Sequence, residues 1–243
     1  MNVSGPHLSA SAASTTRAES TAVTLENLGK HFGRFAALRS LTAEFRAGQM
    51  YAILGDNGAG KTTLLRTIAG LSRPSRGTIR VLGATDLRSV TGQIGYMAHP
   101  SLLYDELSGL ENLRYFAALY GIRDDQRCQS AILAVGLDSA LTRRVDQYSQ
   151  GMRQRLSLAR AIVHSPRILL LDEPFSNVDL ASAREIVSVL VKMRAEGKTI
   201  FIVTHQAALL ERVADEFVWM AAGQISKRSR ELTTPAAESK GAQ

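Results

Sequence analysis

Two short stretches of this chain carry side chains whose types and spacing could do chemistry on a phosphorylated ligand. The first, Gly55-Asp56-Asn57-Gly58-Ala59-Gly60-Lys61-Thr62, fits the spacing G-x-x-x-x-G-K-[ST]. It follows the apolar run Met50–Leu54 and leads into the helical pattern Thr63-Leu64-Leu65-Arg66-Thr67-Ile68. Glycines at such positions let successive backbone N–H groups converge on phosphate oxygens, and the start of the following helix adds positive dipole. Lys61 then reaches the β- and γ-phosphates, and the Thr62 hydroxyl holds Mg²⁺. The second stretch, Ile168-Leu169-Leu170-Leu171-Asp172-Glu173, is a run of four aliphatics that ends in two acids. Such a run fits a strand buried on both faces, with its acids emerging at the carboxyl end where α/β sheets bind ligands. Asp172 can hold Mg²⁺ through water and Glu173 can polarise an attacking water. The plainer alternative is a strand that happens to stop at a surface acid pair.

The elements that must position these residues form an alternation of short apolar runs and amphipathic stretches, which implies an α/β domain. Strands are expected at Thr24–Leu28, Leu41–Phe45, Met50–Leu54, Thr78–Leu82, Gln93–Met97, Ile168–Leu171, Thr199–Val203, Glu216–Met220 and Gln224–Ser226. Helices are expected to begin at Lys61, Leu110, Gln126, Gln150, Ala181 and Gln206. From about 101 to 150 no strong strand pattern occurs, and Leu110, Leu113, Phe116, Ala117 and Tyr120 recur at helical spacing. This region reads as a helical subdomain inserted between two core strands.

Composition bounds the rest. The chain has 243 residues, 45% hydrophobic and 21% charged, enough for a full core and unlike a largely disordered or collagen-like chain. The single cysteine, Cys128, excludes a disulfide scaffold and reads as a packed thiol in a helix. No apolar run reaches the ~18–20 residues of a membrane-spanning helix. Residues 1–22 lack the pattern of a secretory signal and read as a disordered tail, 23–228 as the folded domain, and 229–243 as a flexible tail. The excess of 29 Lys and Arg over 22 Asp and Glu fits a polyphosphate site, a nucleic acid or an anionic membrane surface, and decides among them no further.

Beyond the acid pair, Ser176-Asn177-Val178-Asp179 and His205 follow in order, and Tyr148-Ser149-Gln150-Gly151-Met152 precedes Arg153-Gln154-Arg155-Leu156. In this order the motifs resemble the ATP-binding subunits of ABC transporters over roughly 23–226. The resemblance implies a P-loop NTPase core with a mostly parallel sheet, an N-terminal antiparallel β subdomain and the inserted helical subdomain. It implies ATP and Mg²⁺ as cofactors, bound by Gly55, Asp56, Asn57, Gly58, Ala59, Gly60, Lys61, Thr62 and Thr63, with Phe32 stacked on adenine. It makes Thr62 and Asp172 the metal ligands, and Lys61, Glu173 and His205 the catalytic residues, His205 contacting the γ-phosphate. Asp179 falls in the family's D-loop.

The segment at Tyr148 is similar to the family signature L-S-G-G-Q. Ser149 reads as a helix N-cap and Gly151 allows close backbone approach, so this helix start offers a second phosphate cradle. In the family that cradle serves the ATP of a partner subunit in a closed two-fold dimer, here a homodimer or a heterodimer with another ABC ATPase. Two departures stand out: Gln150 and Met152 in the signature, and His99 where the family's Q-loop carries Gln. His99 is therefore either a ligand toward water or metal or incidental. Within the family, the signature and the stretch from His99 to Phe116 resemble export-type subunits, nearest the haem exporter ATPase of cytochrome c maturation and then ABC-2 type exporters. The implied partner is a membrane permease on a separate chain, with this subunit peripheral at the cytoplasmic face and no nucleic acid bound. The competing reading is a soluble ABC-type ATPase that serves the assembly of a cytosolic complex. A P-loop kinase or GTPase shares only the first motif.

Overall fold

The computed structural model describes residues 21–140 and 142–232. Of the tails expected at 1–22 and 229–243, residues 1–20 and 233–243 lie outside the described residues, whereas Thr21 and Ala22 open a strand and Ser229 closes one, each carried by backbone pairing. Two sheets organise the chain. The smaller is antiparallel, with β1 (Thr21–Phe32) at its centre between β2 (Phe35–Arg46) and β4 (Arg76–Val81). The larger has six strands in the order β5 (Ile94–Met97), β6 (Ile168–Asp172), β7 (Thr199–Val203), β3 (Met50–Leu54), β8 (Glu216–Ala221) and β9 (Gln224–Ser229). Its first five strands are parallel, and β9 returns antiparallel to β8.

The three central strands β3, β6 and β7 are buried along their whole length. Because side chains alternate across a strand, successive residues enter opposite cores. Tyr51, Ile53, Ile168, Leu170, Phe201 and Val203 pack toward the small sheet and toward helix α1 (Lys61–Ile68). Met50, Ala52, Leu169, Leu171, Ile200 and Ile202 pack on the other side, against α4 (Gln150–Ile162) and α5 (Leu180–Ala195). Helices α2 (Gly109–Leu119) and α3 (Asp125–Ala134) are inserted between β5 and β6 and join this second core through Leu113, Ala117 and Ile132. Cys128 is buried in α3. Ser108 starts α2 with a capping box closed by Glu111, which satisfies donors at the helix start. Among the described residues no helix is long and apolar enough to cross a membrane.

Three differences from the sequence expectation have physical reasons. The hairpin strands β1 and β2 run for 12 residues each, well past their apolar centres, because the solvent face of the small sheet carries polar side chains. Strand β9 continues to Ser229, carried by backbone pairing to β8 rather than by apolar side chains. The helix expected from Gln206 is a single 3₁₀ turn, Ala207–Leu210. The chain must reach β8 within a few residues, and Asp215 is pinned beside β3: Met50 N–H donates to its Oδ2 (2.8 Å) and its own N–H donates to Met50 O (2.8 Å).

The first core is anchored by Phe45, Tyr51 and Phe201, whose ring centroids lie 4.9–5.1 Å apart. Phe201 is fully buried on the central strand β7. Phe201→Ala is expected to cost about 3–5 kcal/mol, from lost transfer free energy plus an unfilled cavity. Urea unfolding of the variant beside the wild-type chain measures this.

Candidate nucleotide site

The loop from Gly55 to Gly60 joins the carboxyl end of β3 to α1, and two of its glycines are there for space as well as conformation. Gly55 has φ +139°, and a Cβ there would lie 2.1 Å from the Met220 carbonyl oxygen on β8. Gly60 has φ +99°, and a Cβ there would lie 2.5 Å from the Ala37 carbonyl oxygen on β2. Both sheets thus press on the loop and hold its curvature. The Lys61 ammonium folds back over it, donating to Gly55 O (2.6 Å) and Asp56 O (2.9 Å). Burial holds the Lys61 ammonium below its ordinary pKa, against the pull of Glu173, Asp172 and Asp56.

Parallel pairing of β6 with β7, and of β7 with β3, carries the acid pair to the same end of the sheet. The Thr62 hydroxyl donates to Asp172 Oδ1 at 3.1 Å. Burial pushes the Asp172 carboxyl above its ordinary pKa, opposed by the Thr62 hydroxyl, His99 and Lys61. One hydroxyl and one carboxylate suit a hard cation that draws its remaining ligands from water and phosphate. Among the described residues no group of three or more His, Cys, Asp or Glu is placed to form an all-protein metal site.

Glu173 turns away from the strand in a left-handed conformation, φ +55°, uncommon for a residue with a side chain. Its N–H donates to Val203 O (2.9 Å), and its carbonyl accepts from the Ser176 hydroxyl (2.9 Å). The turn presents the carboxylate to the loop after β7, where His205 N–H donates to Oε2 (3.3 Å) and His205 Nε2 lies 3.4 Å from Oε1. Burial raises the Glu173 pKa, against the pull of His205 and Lys61.

These residues surround a cavity of about 940 Å³. Asn57, Gly58, Ala59, Gly60, Lys61, Thr62 and Thr63 line one side, and Asp172, Glu173, His99 and His205 the other. Gly55 and Asp56 serve it through the carbonyls that hold Lys61. Phe32 stands at a smaller adjoining pocket that shares Thr62, Thr63, Arg66 and Leu71. Sequence reasoning missed Phe35, Arg66, Tyr96 and Gln206, which also line the main cavity. Burial lifts the Tyr96 hydroxyl to a pKa of about 12. Gln206 Nε2 donates to Phe175 O (3.0 Å) and ties the His205 loop to the segment after Glu173. None of the four belongs to a motif whose spacing would have announced it.

Ser149, Gly151 and Asp179 are brought together elsewhere. Ser149 caps α4 by accepting from Met152 N–H (3.2 Å), and Asp179 caps α5 by accepting from Ser182 N–H (3.0 Å). The two helix starts touch: a Cβ on Gly151 would lie 2.6 Å from Ser182 Oγ. None of the three lines the phosphate-loop cavity of the same chain. Between the two places lies a small pocket lined by His99, Gln150, Gln154, Ser176 and Asn177. Met152 is covered by Arg143, whose Nη2 lies 3.0 Å from the sulfur.

A family model described as "ABC transporter" matches residues 38–176. The chain is 34% identical to the bacitracin transport ATP-binding protein BcrA of Enterococcus faecalis, over 86% of this chain and 72% of that one. It is also 34% identical to the ABC transporter ATP-binding protein NatA of Bacillus subtilis, over 79% of this chain and 81% of that one. Among solved structures it is similar to CbiO1 from Clostridium perfringens, titled part of the ABC transporter complex CbiONQ. The TM-score is 0.79 and the identity 26%, covering 87% of this chain and 89% of that one.

The raised pKa of Glu173 has a consequence for stability. A carboxyl that binds its proton more tightly when folded stabilises the fold below its ordinary pKa, and that contribution is lost as pH rises through the folded value. Removing the charge while keeping the hydrogen-bond acceptor should therefore stabilise the nucleotide-free protein. Glu173→Gln is expected to raise the thermal midpoint at pH 7.5, since the buried charge that burial disfavours is gone. The gain should shrink toward zero below about pH 4.3. Differential scanning fluorimetry across pH, with both proteins in EDTA, checks this.

Proposed function

This chain belongs to the ABC transporter family of ATP-binding subunits, and on that premise we propose that it hydrolyses ATP to energise a separate membrane permease of an exporter. The observation that carries this reading is the convergence of Lys61, Thr62, Asp172, Glu173 and His205 on one cavity. These groups come from three different loops at one end of a parallel sheet, where the same residues scattered on the surface would do nothing together.

In this reading the triphosphate lies along the loop from Gly55 to Thr63, with Lys61 exchanging its two loop carbonyls for phosphate oxygens. Thr62 and Asp172 hold Mg²⁺, which neutralises charge on the β- and γ-phosphates when bound. Glu173 accepts a hydrogen bond from the attacking water, and its raised proton affinity suits it to that task. His205, held against Glu173, donates toward the transferring phosphoryl group. Phe32 offers its ring to the base. Ser149 and Gly151 sit away from this cavity and are offered to the γ-phosphate of a second subunit, so two chains close over two nucleotides. Asp179 braces that helix start from α5. His99 faces Asp172 as an additional donor toward water or metal. Most of the rate enhancement then comes from positioning and electrostatics.

Export as the direction rests on the Tyr148–Met152 signature and the stretch His99 to Phe116. Haem export for cytochrome c maturation is the narrower reading of the same residues. The subunit is peripheral on the cytoplasmic face and reaches the membrane through its permease.

Glu173→Gln is expected to keep ATP binding while hydrolysis falls by about 10²–10⁴-fold, the usual contribution of a positioned acid–base group. Tagged Glu173→Gln protein, expressed in its own host and captured from detergent-solubilised membranes with ATP and Mg²⁺, should bring down a polytopic partner, identified by mass spectrometry. A haem-handling partner selects the narrower reading. Wild-type turnover in the variant removes Glu173 from its role. Recovery from the soluble fraction alone, without any permease, replaces the transporter with an ATPase of cytosolic complex assembly.

A further inference from the structure

The chain holds six methionines, and the five among the described residues divide sharply by burial. Met50, Met97, Met193 and Met220 are all at 9% exposure or less, inside the two cores. Met152, in the first turn of α4, is only half-buried. Its sulfur lies 3.0 Å from Nη2 of Arg143, and Arg143 is itself exposed, so solvent surrounds the pair. The same guanidinium stands 5.4 Å from the centre of the Tyr148 ring, which keeps it beside the sulfur.

A thioether within reach of solvent is open to oxidation by peroxides. The sulfur attacks one peroxide oxygen, and an S–O bond forms as the O–O bond breaks. The second oxygen takes the proton of the first and leaves as water. Sulfur gives up two electrons and the peroxide accepts them. Arg143 suits the product, because a sulfoxide oxygen is a far better acceptor than a thioether sulfur and a guanidinium can only donate. The other oxidisable sulfur among the described residues, Cys128, is 2% exposed. Burial pushes its thiol above the ordinary pKa, so little of the reactive thiolate forms.

Oxidation also has a direction in what it does to the surface. Methionine and glutamine side chains are equally long, and a sulfoxide carries its oxygen on the δ atom, where glutamine carries Oε1. Oxidised Met152 therefore regains a polar acceptor at the position where the family signature has glutamine. We propose that Met152 is a site of oxidation by peroxide, and that its sulfoxide tightens the ATP-driven pairing of two chains across the α4 start. This rests on the reading above that the α4 start is offered to the nucleotide of a second chain, and adds a chemical switch to it.

The test treats nucleotide-free Glu173→Gln protein in EDTA with hydrogen peroxide and locates the added oxygen by peptide mass spectrometry. The peroxide is then removed, and pairing is measured by sedimentation velocity with ATP and Mg²⁺. Met152 is expected to oxidise well before the four buried methionines. The oxidised chain should pair about tenfold more tightly, the gain that two modest hydrogen bonds per dimer give. In the same background, Met152→Gln should pair that tightly without peroxide, and pairing of Met152→Leu should not respond to it. Oxidation of Met152 no faster than of the buried methionines overturns the proposal. So does pairing that oxidation leaves unchanged or weakens, a Met152→Gln chain that pairs no better than its parent, or a Met152→Leu chain that responds as its parent does. A chain that binds ATP and pairs in neither state removes the two-chain reading, and this proposal with it.

Discussion

The Thr62 hydroxyl and the Asp172 carboxylate lie 3.1 Å apart although 110 residues separate them along the chain. That contact ties the start of α1 to the end of β6, and it exists only because β3, β7 and β6 run parallel and in register. Parallel strands need crossover segments, and here the crossovers are the helices that cover both faces of the sheet. The same arrangement requires the central strands to be apolar on both faces, which is why Ile168 to Leu171 is a continuous aliphatic run. It also forces the acids that end the run to be largely buried, so both carboxyls bind protons more readily than carboxyls in water. That burial costs stability wherever the carboxyls carry their charge.

A second consequence concerns what one chain lacks. Ser149 caps the start of α4 and Gly151 lies against Ser182 at the start of α5, and neither lines the phosphate-loop cavity of its own chain. In the function proposed above, that helix start is offered to the nucleotide of a second chain, because a second cradle for the same nucleotide within one chain would be redundant. Met152, where the family carries glutamine, removes an amide from that surface, and the Arg143 guanidinium rests on its sulfur. The helix N-terminus itself is unaffected, because its donors belong to the backbone and to Ser149.

Much of this was legible in the residues. Strands buried on both faces announced themselves as apolar runs, and five of the expected helix starts fall within one residue of those observed. The loop at Gly55 to Thr62 and the acids at 172 and 173 carried their chemistry in type and spacing. Other features were hidden for identifiable reasons. The length of the β1–β2 hairpin depends on backbone pairing at polar, exposed positions, which periodicity does not register. The single turn at Ala207–Leu210 is set by Asp215 being held at β3, a constraint between distant segments. Phe35, Arg66, Tyr96 and Gln206 line the cavity because of where the small sheet, α1, β5 and the loop after β7 come to rest, and topology, not local pattern, places them there.

In the proposed function, the phosphate loop of one chain and the α4 start of another close on the same nucleotide. Sedimentation velocity of Glu173→Gln protein with saturating ATP and Mg²⁺ tests this most directly. The expected result is a dimer with ATP, a monomer without it, and a monomer with ATP once Ser149→Arg is added to block the α4 start. A Glu173→Gln chain that binds ATP and stays monomeric at every protein concentration, or a dimer indifferent to the Ser149 substitution, would contradict it.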